Sequence, residues 1–253
     1  MPPKKSKNDS KVLKTDSKLL KKFKFPDNFN NLLINYSKQF FKPQPETLIS
    51  DQIIIVEKFF SNELCNELIK SFESSPDLKM ETTPLIKSKD YAARFNDRGF
   101  SVDFDASRNL WSYLQKILLR DVEYEDDDDN DVKLIFNDAI ALNSQLRIYR
   151  YRKGHHFGQH YDESVICPLT EDKNNQKGIT KWTLLIYLTG DDEFKGGGTI
   201  FYPDYSSAKH LNVHPSKGMA LLHKHGDDCL RHEAELVEDG VKWVLRSDVV
   251  YPS

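Results

Sequence analysis

KWTLLIYLTGDDEFKGGGTIFYP, residues 181–203, decides the fold class. Its opening run places Thr183, Leu185 and Tyr187 on one face of a strand, because successive side chains of an extended chain point to opposite sides. A glycine triplet then interrupts the chain, and a second β-rich run ends at Pro203. The same texture surrounds it in SQLRIYRY (144–151), LNVHP (211–215), GMALLH (218–223) and VKWVLRSDVVY (241–251), separated by glycine, proline and charged turns. No stretch beyond residue 140 reads as a long helix. Many short strands at close spacing indicate a sandwich or barrel, not a parallel α/β sheet.

Upstream the pattern is helical. After a β-branched run in DQIIIVEKFF (51–60), SNELCNELIKSFESS (61–75) begins with Ser61 as a helix cap and sets Leu64, Leu68 and Phe72 at four-residue spacing. SRNLWSYLQKILLRDV (107–122) carries Leu110, Leu114, Ile117 and Leu118 on one face of a second helix. An apolar pattern appears earlier, in FPDNFNNLLINYSKQFF (25–41), and KPQPETL (42–48) interrupts it with two prolines, as a linker would. The expected plan is therefore α+β with a predominantly β half. It comprises a basic disordered tail over 1–25, a helical support region over 26–144 with an acidic loop at 121–131, and a β core over 145–253.

Charge is unevenly spread. The net charge is −3, yet residues 1–24 hold nine lysines against two aspartates, a net of +7, which leaves −10 for the rest. Residues 121–131 hold eight acids in eleven positions. Such blocks repel themselves and stay solvated. The tail reads as a solubilising segment, a nuclear import signal or a weak nucleic-acid contact. No apolar run approaches the roughly 18 residues of a membrane span, and the N-terminus lacks the apolar stretch of a secretory signal. Cys65, Cys167 and Cys229 are far apart, which points to reduced thiols and to the cytoplasm or nucleus.

GHHFGQHYDES (154–164) carries the chemistry. His160 and Asp162 are two residues apart, so on a strand both reach one ion, and a third ligand would complete a two-histidine, one-carboxylate face typical of non-haem iron(II). Spacing alone does not choose among His210, His214, His223, His225 and His232. His223 and His225 alternate on a strand, which brings one of them to a pocket as a further alternative.

Taken in order, Tyr151, Gly154, Phe157, His160 and Asp162, then Thr183 and Tyr187, then Gly196, Gly197, Thr199 and Phe201, HPSKG (214–218), and His232 with Lys242 ten residues on resemble the iron(II)- and 2-oxoglutarate-dependent dioxygenases, in their prolyl 4-hydroxylase-like branch. The resemblance spans residues 145–253. It implies a distorted double-stranded β-helix, a jelly roll with supporting N-terminal helices packed on its major sheet. It further implies His160, Asp162 and His232 as iron ligands, and Lys242 as partner of the far carboxylate of 2-oxoglutarate, with Tyr151, Tyr187 and Thr183 on the cosubstrate wall. Strand parity puts Arg246 on the same face as Lys242, so the residues themselves leave both open for that role.

The implied cofactors are Fe(II), 2-oxoglutarate and O2, with ascorbate as a candidate addition. The implied reaction hydroxylates a C–H bond while 2-oxoglutarate is converted to succinate and CO2. Arg94, Asn96 and Arg98 are candidates for a substrate rim, and residues 163–181 for a hairpin lid. RIYRYRK (147–153) is rich in arginine, which points to a peptide or acidic substrate. A protein side chain is the expected substrate. The alternatives are the same chemistry on nucleic acid or a small molecule, and a binding module that kept the fold without the chemistry. Nucleic acid is the less favoured partner, because the β half shows no aromatic–basic stripe, and no membrane partner is expected.

Overall fold

The computed structural model describes residues 23–82, 84, 92–120, 127–172, 176–203 and 209–253. Two antiparallel sheets dominate it. The larger has eleven strands, eight of them on a path that runs Pro45–Ile49, Ile53–Val56, Ala220–Lys224, Lys177–Tyr187, Val237–Pro252, Gln145–Arg152, Asp97–Val102 and Glu81–Thr82. The smaller has five, in the order Leu211–Val213, Thr199–Tyr202, Arg231–Ala234, His156–His160 and Arg94–Phe95. From Gln145 onward the chain passes repeatedly between the sheets, with Gln145–Arg152, Lys177–Tyr187, Ala220–Lys224 and Val237–Pro252 in the larger facing His156–His160, Thr199–Tyr202, Leu211–Val213 and Arg231–Ala234 in the smaller, which is the double-stranded β-helix expected from the sequence.

Period-two alternation divides every central strand of the larger sheet between two environments. On Val237–Pro252, Trp243, Leu245, Val249 and Tyr251 join the core under the helices, while Lys242, Val244, Arg246 and Asp248 have the opposite parity. On Lys177–Tyr187, Trp182, Leu184 and Ile186 join that core, and Thr183, Leu185 and Tyr187 face inward. Gln145–Arg152 sends Leu146 and Ile148 outward, while Tyr149 and Tyr151 join the inner cluster between the sheets, where Phe201 and Val213 of the smaller sheet meet them. A one-residue slip would exchange the two sets, so the register is held by both cores.

The helices seal the outer face. Asn62–Ser74 starts where the Ser61 hydroxyl accepts from the Leu64 N–H at 3.3 Å, and it buries Leu64, Cys65, Leu68 and Phe72. Phe104–Leu118 is capped by the Asp103 carboxylate, which accepts from the Ala106 N–H at 3.0 Å, and it buries Leu110, Leu114, Ile117 and Leu118. Phe72 approaches Trp243, with ring centroids 6.2 Å apart, and so joins a helix to the strand that carries Lys242 and Arg246. Full burial of such a side chain contributes roughly 1.5–3 kcal/mol.

The support region differs from the sequence expectation in four places. KPQPETL is no linker. Pro45–Ile49 pairs antiparallel with Ile53–Val56 at the edge of the larger sheet, where a proline at the first strand position costs no ladder bond. The region 26–144 is not only helical either, because Ile53–Val56 and Asp97–Val102 complete the larger sheet on either side of the β core. The acidic run is not wholly a loop: the helix Asp127–Phe136 begins inside it, anchored by buried Val132 and Phe136. Finally, the tail ends before residue 25. Phe23 and Phe25 are buried, with their rings 5.4 and 6.3 Å from that of Phe72. The rest of the tail, to residue 22, lies outside the described residues. Among the described residues no helix is long and apolar enough to cross a membrane.

Candidate metal and cosubstrate site

His160 ends its strand and pairs directly across the ladder with His232, so the smaller sheet presents both imidazoles side by side with ring centroids 4.3 Å apart. Asp162 follows in the turn. Its backbone is fixed by the Gly226 N–H, which donates to the Asp162 carbonyl at 2.9 Å, and by its own N–H, which donates to Cys229 Sγ at 3.3 Å. One donor atom from each of His160, Asp162 and His232 lies within 4.8 Å of the others.

The tautomers are set. His160 Nδ1 is 2.9 Å from the Gly158 carbonyl, and His232 Nδ1 is 2.9 Å from the Leu230 carbonyl. A carbonyl only accepts, so each Nδ1 carries the proton and each Nε2 keeps a lone pair for the site. Those Nε2 atoms stand 3.7 and 3.8 Å from the Asp162 carboxylate. Burial, reinforced by the neighbouring His232, pushes His160 down to about 3, and burial likewise lowers His232 against the pull of Asp162. Both rings are thus neutral, the form in which imidazole binds a metal. Two neutral imidazoles and a carboxylate fit an iron(II) ion.

A directed chain orients the carboxylate. Thr180 and Thr183 flank His225 at 2.9 Å each, and Thr183 lies 2.9 Å from Asp162 Oδ2. The hydroxyl of Thr183 has one proton and gives it to Asp162, so His225 Nδ1–H donates to Thr183 and Thr180 donates to His225 Nε2. Arg246 completes the hold with Nη2 3.0 Å from Asp162 Oδ2 and 3.2 Å from Asp248 Oδ1. Arg147 in turn lies 2.8 Å from Asp248. Burial works to raise Asp162, yet Arg246 and the surrounding imidazoles hold it well below the usual carboxylate range.

Lys242 lies in the same cavity, away from this network. Its Nζ is fully buried and donates to the Gly197 carbonyl at 2.5 Å, with the rings of Tyr187 and Tyr151 5.2 and 5.5 Å away. Among the described residues no carboxylate is within ion-pair distance of it. A buried ammonium without an anion is costly, and burial pushes Lys242 down to about 7. The cavity thus has two polar parts, the His160–Asp162–His232 cluster and the Lys242 amine, with Leu185 and Val244 also in its lining. Tyr187 Oη is 2.7 Å from Thr199 Oγ1 beside Lys242.

The sequence-predicted residues are thus brought together with three exceptions, Thr183, Asn96 and Arg98. His160, Asp162, His232, Lys242, Tyr151, Tyr187 and Arg94 line one cavity, but Thr183 does not. Its hydroxyl is spent on Asp162, and Thr199 from the neighbouring sheet occupies the wall instead. Thr199 stands in the Gly196-Gly197-Gly198-Thr199 turn, the signal that marked its position. Arg246 shares the parity of Lys242 but is committed to Asp162 and Asp248. Of the two alternating histidines, His223 enters the cavity, with Nε2 3.7 Å from Asp162 Oδ2, while His225 stays behind it. Arg94 packs over Tyr149 and Phe157 at 4.9 and 4.3 Å, braced by Asn96, whose Oδ1 accepts at 3.1 Å. Asn96 itself is buried and belongs to the support of the rim rather than its surface. Arg98 is exposed beside them.

Residues 146–247 match the family model of the 2OG-Fe(II) oxygenase superfamily. This stretch is a domain of that superfamily, an oxidoreductase whose cofactors are Fe(II), 2-oxoglutarate and O2, in agreement with the resemblance read from the sequence. Similar solved structures include prolyl hydroxylases. The viral collagen prolyl hydroxylase of Paramecium bursaria Chlorella virus-1 is 18% identical with a TM-score of 0.49, covering 79% of this chain and 96% of its own. A Pseudomonas putida prolyl-4-hydroxylase is 10% identical with a TM-score of 0.48, covering 89% and 100%. The Trichoplax adhaerens prolyl hydroxylase in complex with a hypoxia inducible factor peptide fragment is 12% identical with a TM-score of 0.48, covering 89% and 90%. No curated protein matches the sequence.

Proposed function

We propose that the chain is an iron(II)- and 2-oxoglutarate-dependent dioxygenase that hydroxylates a C–H bond on a protein side chain, in the manner of a prolyl hydroxylase, with release of succinate and CO2. His160, Asp162 and His232 would hold the iron, and Lys242 the far carboxylate of 2-oxoglutarate. The observation that carries this reading is the fully buried Lys242 amino group, with no carboxylate among the described residues within ion-pair distance, in one cavity with the two-histidine, one-carboxylate cluster. When bound, iron(II) with 2-oxoglutarate and O2 supplies the oxidant that inserts an oxygen atom into the substrate. The chain's own residues do the rest. The Gly158 and Leu230 carbonyls fix the tautomers, Thr183 and Arg246 orient Asp162, and the apolar walls Leu185 and Val244 exclude water between the two ends.

A peptide substrate is favoured by the shape of the mouth. Outside the metal triad the cavity opens into a groove of about 1040 Å³ lined by Arg94, Arg98, Tyr161 and Val165, an open surface along which an extended peptide can lie. The thiols are all free and buried, in keeping with a cytoplasmic or nuclear protein.

Anaerobic apo-protein titrated with Fe(II) and 2-oxoglutarate should develop a visible charge-transfer band, absent in His232→Ala and displaced to much higher 2-oxoglutarate concentration in Lys242→Met. A folded wild-type protein that binds Fe(II) but shows no band with 2-oxoglutarate would falsify the assignment and favour a binding module.

A further inference from the structure

We infer that the mouth of the site takes an extended peptide bearing an acidic residue close to the one that is hydroxylated, and that Arg94 and Arg98 read its carboxylate. This rests on the dioxygenase reading above and adds the substrate's chemistry.

Four arginines line this groove, Arg94, Arg98, Arg147 and Arg246, while Arg150 and Arg152 lie on the other side of their strand, Arg150 over Trp243, and the partners of all six separate them. Arg147 is paired with Asp248, Arg150 and Arg152 with Asp97, and Arg246 with Asp162 and Asp248. The arginines of RIYRYRK, which drew attention in the sequence, are therefore each already engaged by a carboxylate. Arg94 and Arg98 are the two left over, since among the described residues neither has a carboxylate within ion-pair distance. Both stack on the ring of Tyr149, at 4.9 and 6.0 Å, so two like charges share one aromatic platform at the edge of the groove. Holding them together costs repulsion and desolvation that an incoming carboxylate would relieve.

The position relative to the metal triad sets the spacing. Arg94 lies 4.3 Å from the Phe157 ring, which in turn stacks on His160 at 3.6 Å between centroids. An extended peptide advances roughly 3.3 Å per residue, so the carboxylate sits about two or three residues from the reacting one. The remaining lining is apolar in Tyr161 and Val165, both well exposed, with Ile166 beside them, so the groove also offers a side for an aliphatic neighbour. Glu163 lines the mouth as well and pairs with neither arginine. A nucleic-acid strand would need a longer run of free cations with stacking rings, and among the described residues lining the groove only Arg94 and Arg98 are free of a carboxylate.

The test uses full-length protein, loaded anaerobically with Fe(II) and 2-oxoglutarate, and three fluorescein-labelled peptides with a central proline flanked by glutamates, by glutamines or by lysines. A single-stranded oligothymidylate serves as a fourth probe. The glutamate peptide should bind about tenfold tighter than the glutamine one, with the lysine peptide weakest and the preference shrinking as salt is added. Arg98→Gln should erase most of that preference, Arg98→Lys should keep it, and Arg94→Gln/Arg98→Gln should abolish it. Equal binding of the three peptides, no measurable binding of any, a preference that survives the double substitution, or tighter binding of the oligothymidylate overturns the inference. The charge-transfer band, recorded in every sample, keeps the two readings apart. Its absence in wild type indicts the cofactor assignment, whereas its presence without a charge preference indicts this one alone.

Discussion

Arg246 bridges two buried carboxylates, with Nη2 3.0 Å from Asp162 Oδ2 and 3.2 Å from Asp248 Oδ1. One guanidinium thus ties the orientation of the proposed iron ligand to the end of the strand Val237–Pro252. Replacing Arg246 by Met leaves Asp248 with Arg147 but takes from Asp162 its guanidinium partner, and breaking a buried pair in this way costs about 3–5 kcal/mol. Arg246→Lys keeps the charge but loses the planar fork. It should fold, melt a few degrees lower, and bind Mn(II) about 10–100-fold more weakly. Mn(II) titration followed by electron paramagnetic resonance reads this directly, and unchanged affinity in the lysine variant would mean that Asp162 needs no second hand.

The hydroxyls of Tyr187 and Thr199 depend on each other. They lie 2.7 Å apart in a fully buried setting, and burial pushes the Tyr187 phenol upward, so it stays protonated. Thr199→Val leaves the Tyr187 hydroxyl without its partner and should cost about 1–3 kcal/mol in urea unfolding. Adding Tyr187→Phe removes the stranded group as well, so the double variant should recover part of that loss. A double variant whose loss equals the sum of the two single losses would show that the bond carries no stability.

Much of this was legible in the residues. The alternation in KWTLLIYL and VKWVLRSDVVY placed Thr183, Leu185 and Tyr187 on one face, and Lys242 with Arg246 on another. A strand's period is two whatever the partner, so parity is a local property. Parity does not say which residue at the right face is spent on a neighbour. Thr183 was placed on the cosubstrate wall because its direction was right, but a carboxylate from a turn 21 residues upstream claims its hydroxyl. Nor does composition say which arginines of RIYRYRK are free, since Asp97 and Asp248, distant in sequence, engage all three. Strand Pro45–Ile49 was missed because two prolines outweigh β-branched neighbours in any local reading, while an edge position makes one of them harmless.

Gly196 and Gly197 make the turn that delivers Thr199 and the carbonyl bonded to Lys242. Both have positive φ, +65° and +67°, and a Cβ on Gly196 would stand 2.3 Å from the Leu236 carbonyl oxygen. Gly196→Ala should therefore destabilise by about 1–3 kcal/mol, and because Lys242 loses its fixed acceptor, 2-oxoglutarate affinity should fall along with it. Thermal melting and the anaerobic titration check the two effects separately. A melting temperature matching wild type would mean that the turn relaxes without strain.

Lys242 should make both stability and cosubstrate binding depend on pH. Burial pushes its ammonium down to about 7, against a weaker upward pull from Glu235, while in the unfolded chain it returns to about 10.5. Between those values the unfolded chain holds a proton that the folded apo-protein lacks, so apo stability should rise with pH across that window and gain nothing from this group below it. Binding has the opposite sign. A dicarboxylate pairs only with the ammonium, so 2-oxoglutarate must bring a proton with it above about pH 7, and its affinity should fall by up to tenfold per pH unit there. Calorimetry at about pH 8 in two buffers of different ionisation heat should show close to one proton taken up on binding. Lys242→Arg, which stays charged throughout, should show none. An affinity that is flat from about pH 6 to about pH 9 would mean that the lysine is already an ammonium in the folded protein, held by a partner other than the cosubstrate.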